Sequence, residues 1–360
     1  MRHAIEQRQP THDVPTLYLG LDVHKLFISV TVFSEFSYQS KAHVQIEDFD
    51  AYVSGVQQKY PGCQLVAAYE AGFCGFELQR RLTARQVKTL VVNAADIPTS
   101  DKERTTKNDR ADSVKIAKAL STGSLRGIWI PDQELEGDRE LVRDRLKIRR
   151  ELNAAKNALK MRLHKHGILI PERFDNASWS AAFRQWLEEQ QLQTPSAQRA
   201  YSLLLAEYDH RKERGQRHLA ILKELAATPR YAHRMELLTS VPGIGPLTAL
   251  SLLTEIGPIN RFPSADHLAS YVGLVPMQHQ SGSSNRQMPM QRRAQMDLRS
   301  MLIQCAWSSI RGDTHFADLY ARKRATKPGQ KAVVTVARRL LNTVYAILTT
   351  QKPYCQPISN

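Results

Sequence analysis

Asp109 and Asp112 stand three residues apart in the stretch Lys107-Asn108-Asp109-Arg110-Ala111-Asp112, directly ahead of a helical run from Ser113 to Ser121. On a helix that spacing places both carboxylates on one face, with Cβ atoms roughly 5–6 Å apart. Carboxylates that close repel unless a positive charge lies between them. Arg110 or Lys115 can supply it, and so can a divalent metal. The everyday alternative is a pair of acids on a solvated helix face. Two further acids add weight. Asp22 is embedded in the apolar run Leu19-Gly20-Leu21-Asp22-Val23, and Glu70 closes the run Gln64–Tyr69. A buried, unpaired carboxylate is costly, so Asp22 needs a ligand or a partner. Four carboxylates can offset two Mg²⁺ (or Mn²⁺) ions, which at about 3.5–4 Å separation clamp the oxygens of a phosphodiester during in-line displacement.

The elements that must position these acids follow in order. Leu17–Val23 reads as a strand buried on both faces, Phe27–Phe33 as a β-branched and aromatic strand, and Lys41–Ile46 as a third, alternating strand. A helix is expected over Glu47–Lys59, a fourth strand over Gln64–Tyr69, a helix over Gly72–Ala84 and a fifth strand over Val87–Asn93. A Lys- and Thr-rich loop, Ser100–Lys107, leads into the Asp109/Asp112 helix. Three consecutive strands can pair as an antiparallel meander, whereas strands joined through helices add in parallel. This is the order of the ribonuclease H-like fold, shared by RuvC-type resolvases. It puts Asp22 on the central strand, Glu70 at the end of the fourth, and the last two acids on the closing helix, at one edge of the sheet.

The 360 residues suffice for two or three domains, and 42% hydrophobic residues for a sizeable core. A net charge of +15 favours a polyanionic partner, nucleic acid before membrane. No stretch approaches 18 apolar residues, so no membrane span is expected. The cysteines Cys63, Cys74, Cys305 and Cys355 form no CxxC pair, which speaks against a zinc site or a disulfide framework. With a polar N-terminus lacking an apolar signal segment, a cytoplasmic, reducing-compartment protein is expected.

The chain divides into a disordered leader (1–15), the acid-bearing α/β domain (16–130), a helical arm (131–232), a mainly α C-terminal domain (233–350) and a frayed tail (351–360). The arm holds a long helix over Glu140–His166 with a stripe of Leu141, Leu146, Leu152, Leu159 and Leu163, a short helix over Ser178–Gln190, and a second long helix over Ala197–Ala227. These suggest an antiparallel coiled-coil hairpin. Its basic faces, including Arg149, Arg150 and Lys156, either lie along nucleic acid or are simply solvated. Ser240-Val241-Pro242-Gly243-Ile244-Gly245-Pro246 followed by an apolar helix is a helix-hairpin-helix signature. Gly243 and Gly245 let a phosphate approach the backbone N–H groups, or else make a tight turn within the domain. A polar loop, Gln280-Ser281-Gly282-Ser283-Ser284, follows Gly273-Leu274-Val275-Pro276; on its own it reads as a turn. Beyond it Lys and Arg crowd the chain, with Arg286, Arg292, Arg293, Arg299, Arg322, Lys323 and Arg324 as the candidate DNA-phosphate surface and Trp307, Phe316 and Tyr320 interleaved. A final apolar helix, Val333–Leu348, closes the domain.

The segments LGLDVHK, YEAGFCGFELQRRL, VVNAADIPTSDKERTTKNDRADSVKIAKAL and GLVPMQHQSG resemble the insertion-sequence 110 transposases, which carry an N-terminal RuvC-like domain and a C-terminal catalytic serine, and to which pilin-gene invertases are related. The resemblance implies that Asp22, Glu70, Asp109 and Asp112 bind Mg²⁺ or Mn²⁺, and that Ser281 is the nucleophile that cuts and rejoins DNA. It also implies dimers and tetramers in which acids and serine meet between subunits. The partners it implies are donor and target DNA and a structured noncoding (bridge) RNA that guides the reaction. Where the family usually has lysine-any-glycine-asparagine before a Leu-Arg pair, this chain has Arg292-Arg293-Ala294-Gln295 before Leu298-Arg299. Two alternatives stand beside this reading: a metal-dependent nuclease or Holliday-junction resolvase that uses water, and a non-catalytic nucleic-acid-binding scaffold.

Overall fold

A computed structural model describes residues 15–34, 37–98, 112–175, 179–281, 284–290 and 295–356, with the backbone alone over 276–290. The expected leader up to residue 14, the loop Ser100–Lys107, Asp109, Arg292 and Arg293 lie outside the described residues. The chain forms two compact units, 1–130 and 131–360.

In the first unit the strands β1 (Thr16–Val23), β2 (Phe27–Phe33), β3 (Tyr38–Gln45), β4 (Gln64–Glu70) and β5 (Lys88–Val92) form one sheet in the order β3-β2-β1-β4-β5. The first three pair antiparallel; β4 adds parallel to β1, and β5 parallel to β4. That is the meander with parallel additions expected from the element order. One face carries Leu17, Leu19, Leu21, Ile28, Val30 and Ala67 against helix α1 (Phe49–Lys59) and helix α2 (Glu77–Ala84) through Phe49, Val53, Leu78 and Leu82. The other face, with Ala68 and Val92, packs on Ile116, Ala119 and Leu120 of α3 (Asp112–Ser121). Burial on both faces is why β1 and β4 are nearly continuous apolar runs. α2 begins at Glu77 and not at Gly72, because Gly75 takes φ +56°, outside helical geometry.

The second unit opens on α4 (Gln133–Lys165), followed by α5 (Ala181–Glu188) and α6 (Pro195–Ala227). α4 starts well before the expected Glu140 because Asp132 caps it, its Oδ1 accepting the Leu135 N–H at 2.7 Å. α4 and α6 run antiparallel: Leu141 meets His218, Glu151 meets Arg211, and Leu159 and Leu163 share a core with Tyr201 and Leu205. Of the expected leucine stripe on α4 only Leu159 and Leu163 are fully buried; the rest of the seam is Leu135, Val142, Ile148 and Ala155. Leu203 of α6 is 73% exposed.

The remaining helices are α7 (Ala232–Thr239), α8 (Pro246–Ile256), α9 (Ala265–Val272), α10 (Met296–Gly312), α11 (Thr314–Arg324) and α12 (Gly329–Thr350). They share a core that also takes in Val142 and Leu222 of the long helices. Arg139 of α4 is buried and donates to the carbonyls of Thr254 and Glu255 at 2.8 and 2.9 Å, while Arg143 forks onto the Glu255 carboxylate at 2.7 and 2.9 Å. The two Arg139 bonds satisfy open carbonyls at the end of α8. Among the described residues α12 alone is long and apolar enough to cross a membrane; here Val336, Leu340 and Val344 lie buried in the core. The polar loop expected around Ser281 is instead a two-stranded antiparallel ribbon, β6 (Pro276–Ser281) with β7 (Ser284–Met290). Residues 278–281 and 284–287 are polar at successive positions, so no sustained period-two apolar pattern marked it as strand.

Candidate functional site

The acids of the first unit gather by topology. Leu21 pairs with Tyr69 across β1 and β4, so Asp22 and Glu70 come next on adjacent parallel strands, which lie about 4.8 Å apart. Side chains alternate along a strand, so Asp22 shares the face of Gly20, and Glu70 that of Ala68. That is the face covered by α3. Gly20 fixes how α3 lands: a Cβ there would lie 2.1 Å from the Ser113 carbonyl oxygen and 2.3 Å from the Ala117 nitrogen. Thr31 Oγ1, on the strand partner of Gly20, lies 2.9 Å from Ser113 Oγ in a buried hydrogen bond. Helix α3 therefore starts over the same end of β1, and Asp112 is its first residue.

Each of the three acids among the described residues has protein partners. Asp22 Oδ2 lies 2.9 Å from His24 Nε2, with the Asp22 side chain only 20% exposed. Lys115 Nζ lies 3.5 Å from Asp112 Oδ1, the internal cation that the sequence offered as an alternative to metal. Glu70 is exposed and has partners of its own. Behind Asp22, its strand partner Ser29 hydrogen-bonds His43 Nδ1 at 3.0 Å. The donors are hard oxygens, which suits Mg²⁺ or Mn²⁺. Among the described residues no group of three or more His, Cys, Asp or Glu side chains is close enough to hold a metal ion. Asp109, the fourth acid, is outside them. His24 was not singled out in the sequence; its position two residues beyond Asp22 was the only signal that it reaches the carboxylate.

Ser281 is the last residue of β6 and pairs with Ser284 at the tip of the ribbon. Arg286 pairs with His279 lower on it. Arg299 sits half-buried on α10. Arg322, Lys323 and Arg324 fill the last turn of α11, where cations also complement the helix dipole. Of the interleaved aromatics, Phe316 is fully buried and stacks on Tyr354, and Trp307 packs edge-on against Tyr320 at 5.4 Å. They hold the domain together. The two glycines of the turn before α8 differ. Gly243, at φ +94°, lies so close to α10 that a Cβ would meet Ser309 Oγ at 2.4 Å, whereas Gly245 opens onto space.

A basic chain whose first unit carries acids at one sheet edge has the make-up of an enzyme acting on a nucleic-acid backbone, and the comparisons agree. A sequence model described as a transposase, of the IS110 DEDD type, matches residues 19–167, and one described as "Transposase IS116/IS110/IS902 family" matches residues 235–321. The chain belongs to the IS110/IS116/IS902 family of transposases, enzymes that cut and rejoin DNA. It is similar to an insertion-sequence transposase of Coxiella burnetii, 26% identical over 322 residues (84% of this chain, 82% of the relative). It is also similar to the pilin gene-inverting protein of Moraxella bovis, 29% identical over 254 residues (69% and 68%). An insertion-sequence transposase of Leptospira borgpetersenii is 24% identical over 245 residues (67% and 69%). The DEDD type of domain speaks for divalent-metal dependence.

Proposed function

We propose that this transposase cuts and rejoins DNA through Ser281, assisted by a metal site built from Asp22, Glu70, Asp109 and Asp112. The observation that carries the reading is the juxtaposition of Asp22 and Glu70 on neighbouring parallel strands beneath the start of α3 at Asp112. Bound Mg²⁺ or Mn²⁺ would neutralise charge on the phosphodiester oxygens. Asp22 and Glu70 hold the position on the rigid sheet, and His24 orients the Asp22 carboxylate through its 2.9 Å hydrogen bond. Ser281, at the ribbon tip, gives up its hydroxyl proton to solvent as its Oγ attacks phosphorus. One Oγ–P bond forms, the P–O bond to deoxyribose breaks, and the leaving oxygen takes up a proton; attack by a second strand's hydroxyl then breaks the Oγ–P bond and returns a proton to the serine. Arg286, Arg292, Arg293, Arg299, Arg322, Lys323 and Arg324, with the backbone at Gly243 and Gly245, hold DNA phosphates. Homodimers or tetramers bring serine and acids of different copies together, and a structured noncoding RNA selects donor and target DNA.

Trapping on nicked DNA carrying a label tests this. Wild-type protein is expected to form a covalent adduct that Ser281→Ala abolishes and Asp22→Asn or Asp109→Ala reduces by at least about 10²-fold. An adduct surviving in Ser281→Ala would overturn the serine role. Cleavage without any adduct would favour a water-using nuclease, and activity unaltered by Asp109→Ala would favour a scaffold.

A further inference from the structure

The second unit holds a cleft of about 610 Å³ between α4, the turn at Gly243 with α8, and α10. That is a size typical of ligand sites. Arg145, Arg149 and Arg150 form one wall, the first two a helical turn apart and therefore on one face of α4. Thr248 and Ser251 of α8 and Ser300 and Gln304 of α10 present hydroxyl and amide groups from the other side. Leu146, Leu222 and Met301 supply apolar lining. Among the described residues Asp297 is the one acid lining the cleft; it bonds Arg150, which leaves the guanidinium groups of Arg145 and Arg149 over.

Arg145 is the telling residue. Its Nε is buried and has no hydrogen-bond partner among the described residues. Burial, and then the neighbouring Arg149, both disfavour its charged form. An anion with several acceptor oxygens against this arginine pair would favour the charged form and so offset both effects. The ligand must combine such an anion with a flat or apolar portion that fits against Leu146 and Met301. A nucleotide unit has both, and the enzyme's substrates are nucleic acids. A cavity of this volume admits a single strand, whereas a rigid duplex would be held at its rim.

We propose that this cleft binds the sugar-phosphate backbone of a single-stranded nucleic-acid segment, with phosphates against Arg145, Arg149 and Arg150 and a base against the apolar lining. Single-strand sites combine these two features, a cationic track and a surface for bases. The inference needs no cleavage step, so its failure would leave the serine-and-acid reading untouched.

The test uses full-length protein and fluorescent oligo-dT and oligo-rU strands, with anisotropy followed over a salt series. Arg145→Gln and Arg149→Gln are each expected to weaken binding about tenfold and to lower the log–log salt slope by about 0.7, the value for one lost phosphate contact on a single strand. Asp297→Asn, which frees Arg150, is expected to bind more tightly than wild type, an outcome that a purely structural role would not produce. Lys59→Gln in the first unit serves as control and should change nothing. Tighter oligo-rU binding would assign the cleft to RNA, and tighter oligo-dT binding to a displaced DNA strand. Unchanged salt slopes in both arginine variants, no tightening in Asp297→Asn, or equal binding of polyglutamate would overturn the proposal. Should the arginine variants misfold, hydrogen exchange of wild-type protein decides: strand binding must protect 145–150 and 300–304, and absence of protection there overturns it.

Discussion

Gly20 does more for the candidate site than its lack of a side chain suggests. It lets the backbone of α3 rest on β1, and this contact brings Asp112 to the strand end that carries Asp22. Gly20→Ala would force backbone apart from backbone. It is expected to lower stability by about 1–3 kcal/mol, the usual cost of overpacking, and to reduce adduct formation beyond the stability loss. Urea unfolding followed by tryptophan fluorescence and adduct yield would check the two effects separately. Tyr231 is a second single-residue test. Its hydroxyl donates to buried Asp138 at 2.5 Å, and burial, then Asp138, pushes the phenol well above its ordinary pKa. Tyr231→Phe leaves a buried carboxylate short of a donor and should cost about 1–3 kcal/mol in the same measurement. The acids themselves were legible from residue type and spacing. Gly20 was not, because its role depends on a helix that begins 92 positions later, at Asp112.

At the scale of elements, helix α4 shows how an end is set. Asp132 accepts from Leu135 N and pairs with Arg230 at 2.9 Å. The Leu135 N–H first, and Arg230 after it, hold its carboxyl below the ordinary value of 3.8. A depressed folded pKa means that the stabilisation is fully present above 3.8 and is lost as pH falls through the folded value. Asp132→Ala is therefore expected to cost about 1 kcal/mol near neutral pH and to flatten the acid side of the stability profile. Thermal melts from pH 2 to 7 would show a loss that shrinks toward low pH. The sequence placed this helix but began it too late, since a charged first turn masked the cap. The ribbon β6–β7 escaped altogether: the backbone pairing there runs through the polar stretches 278–281 and 284–287, whose sequence carries no apolar alternation to announce a strand.

For the whole molecule, each unit has cores of its own: the two faces of the sheet in one, the long-helix seam and the α7–α12 bundle in the other. A fragment spanning 131–360 is expected to melt cooperatively with helical circular dichroism when expressed alone; a non-cooperative melt would show that it depends on the first unit. The sequence by itself determined the sheet order, the ends of the strands that carry Asp22 and Glu70, and the existence of two long helices. Alternation, β-branching and helical period are local, and a chain reads them out within a few residues. Tertiary structure alone decided where α3 lands, which residues form the α4 seam, and that three arginines face two other helices across a cleft. Those outcomes rest on partners such as Thr31 with Ser113, 82 positions apart, and Arg139 with Thr254, 115 apart. Close packing selects such partners by shape and hydrogen-bonding demand once the chain is folded, and no local pattern encodes that choice.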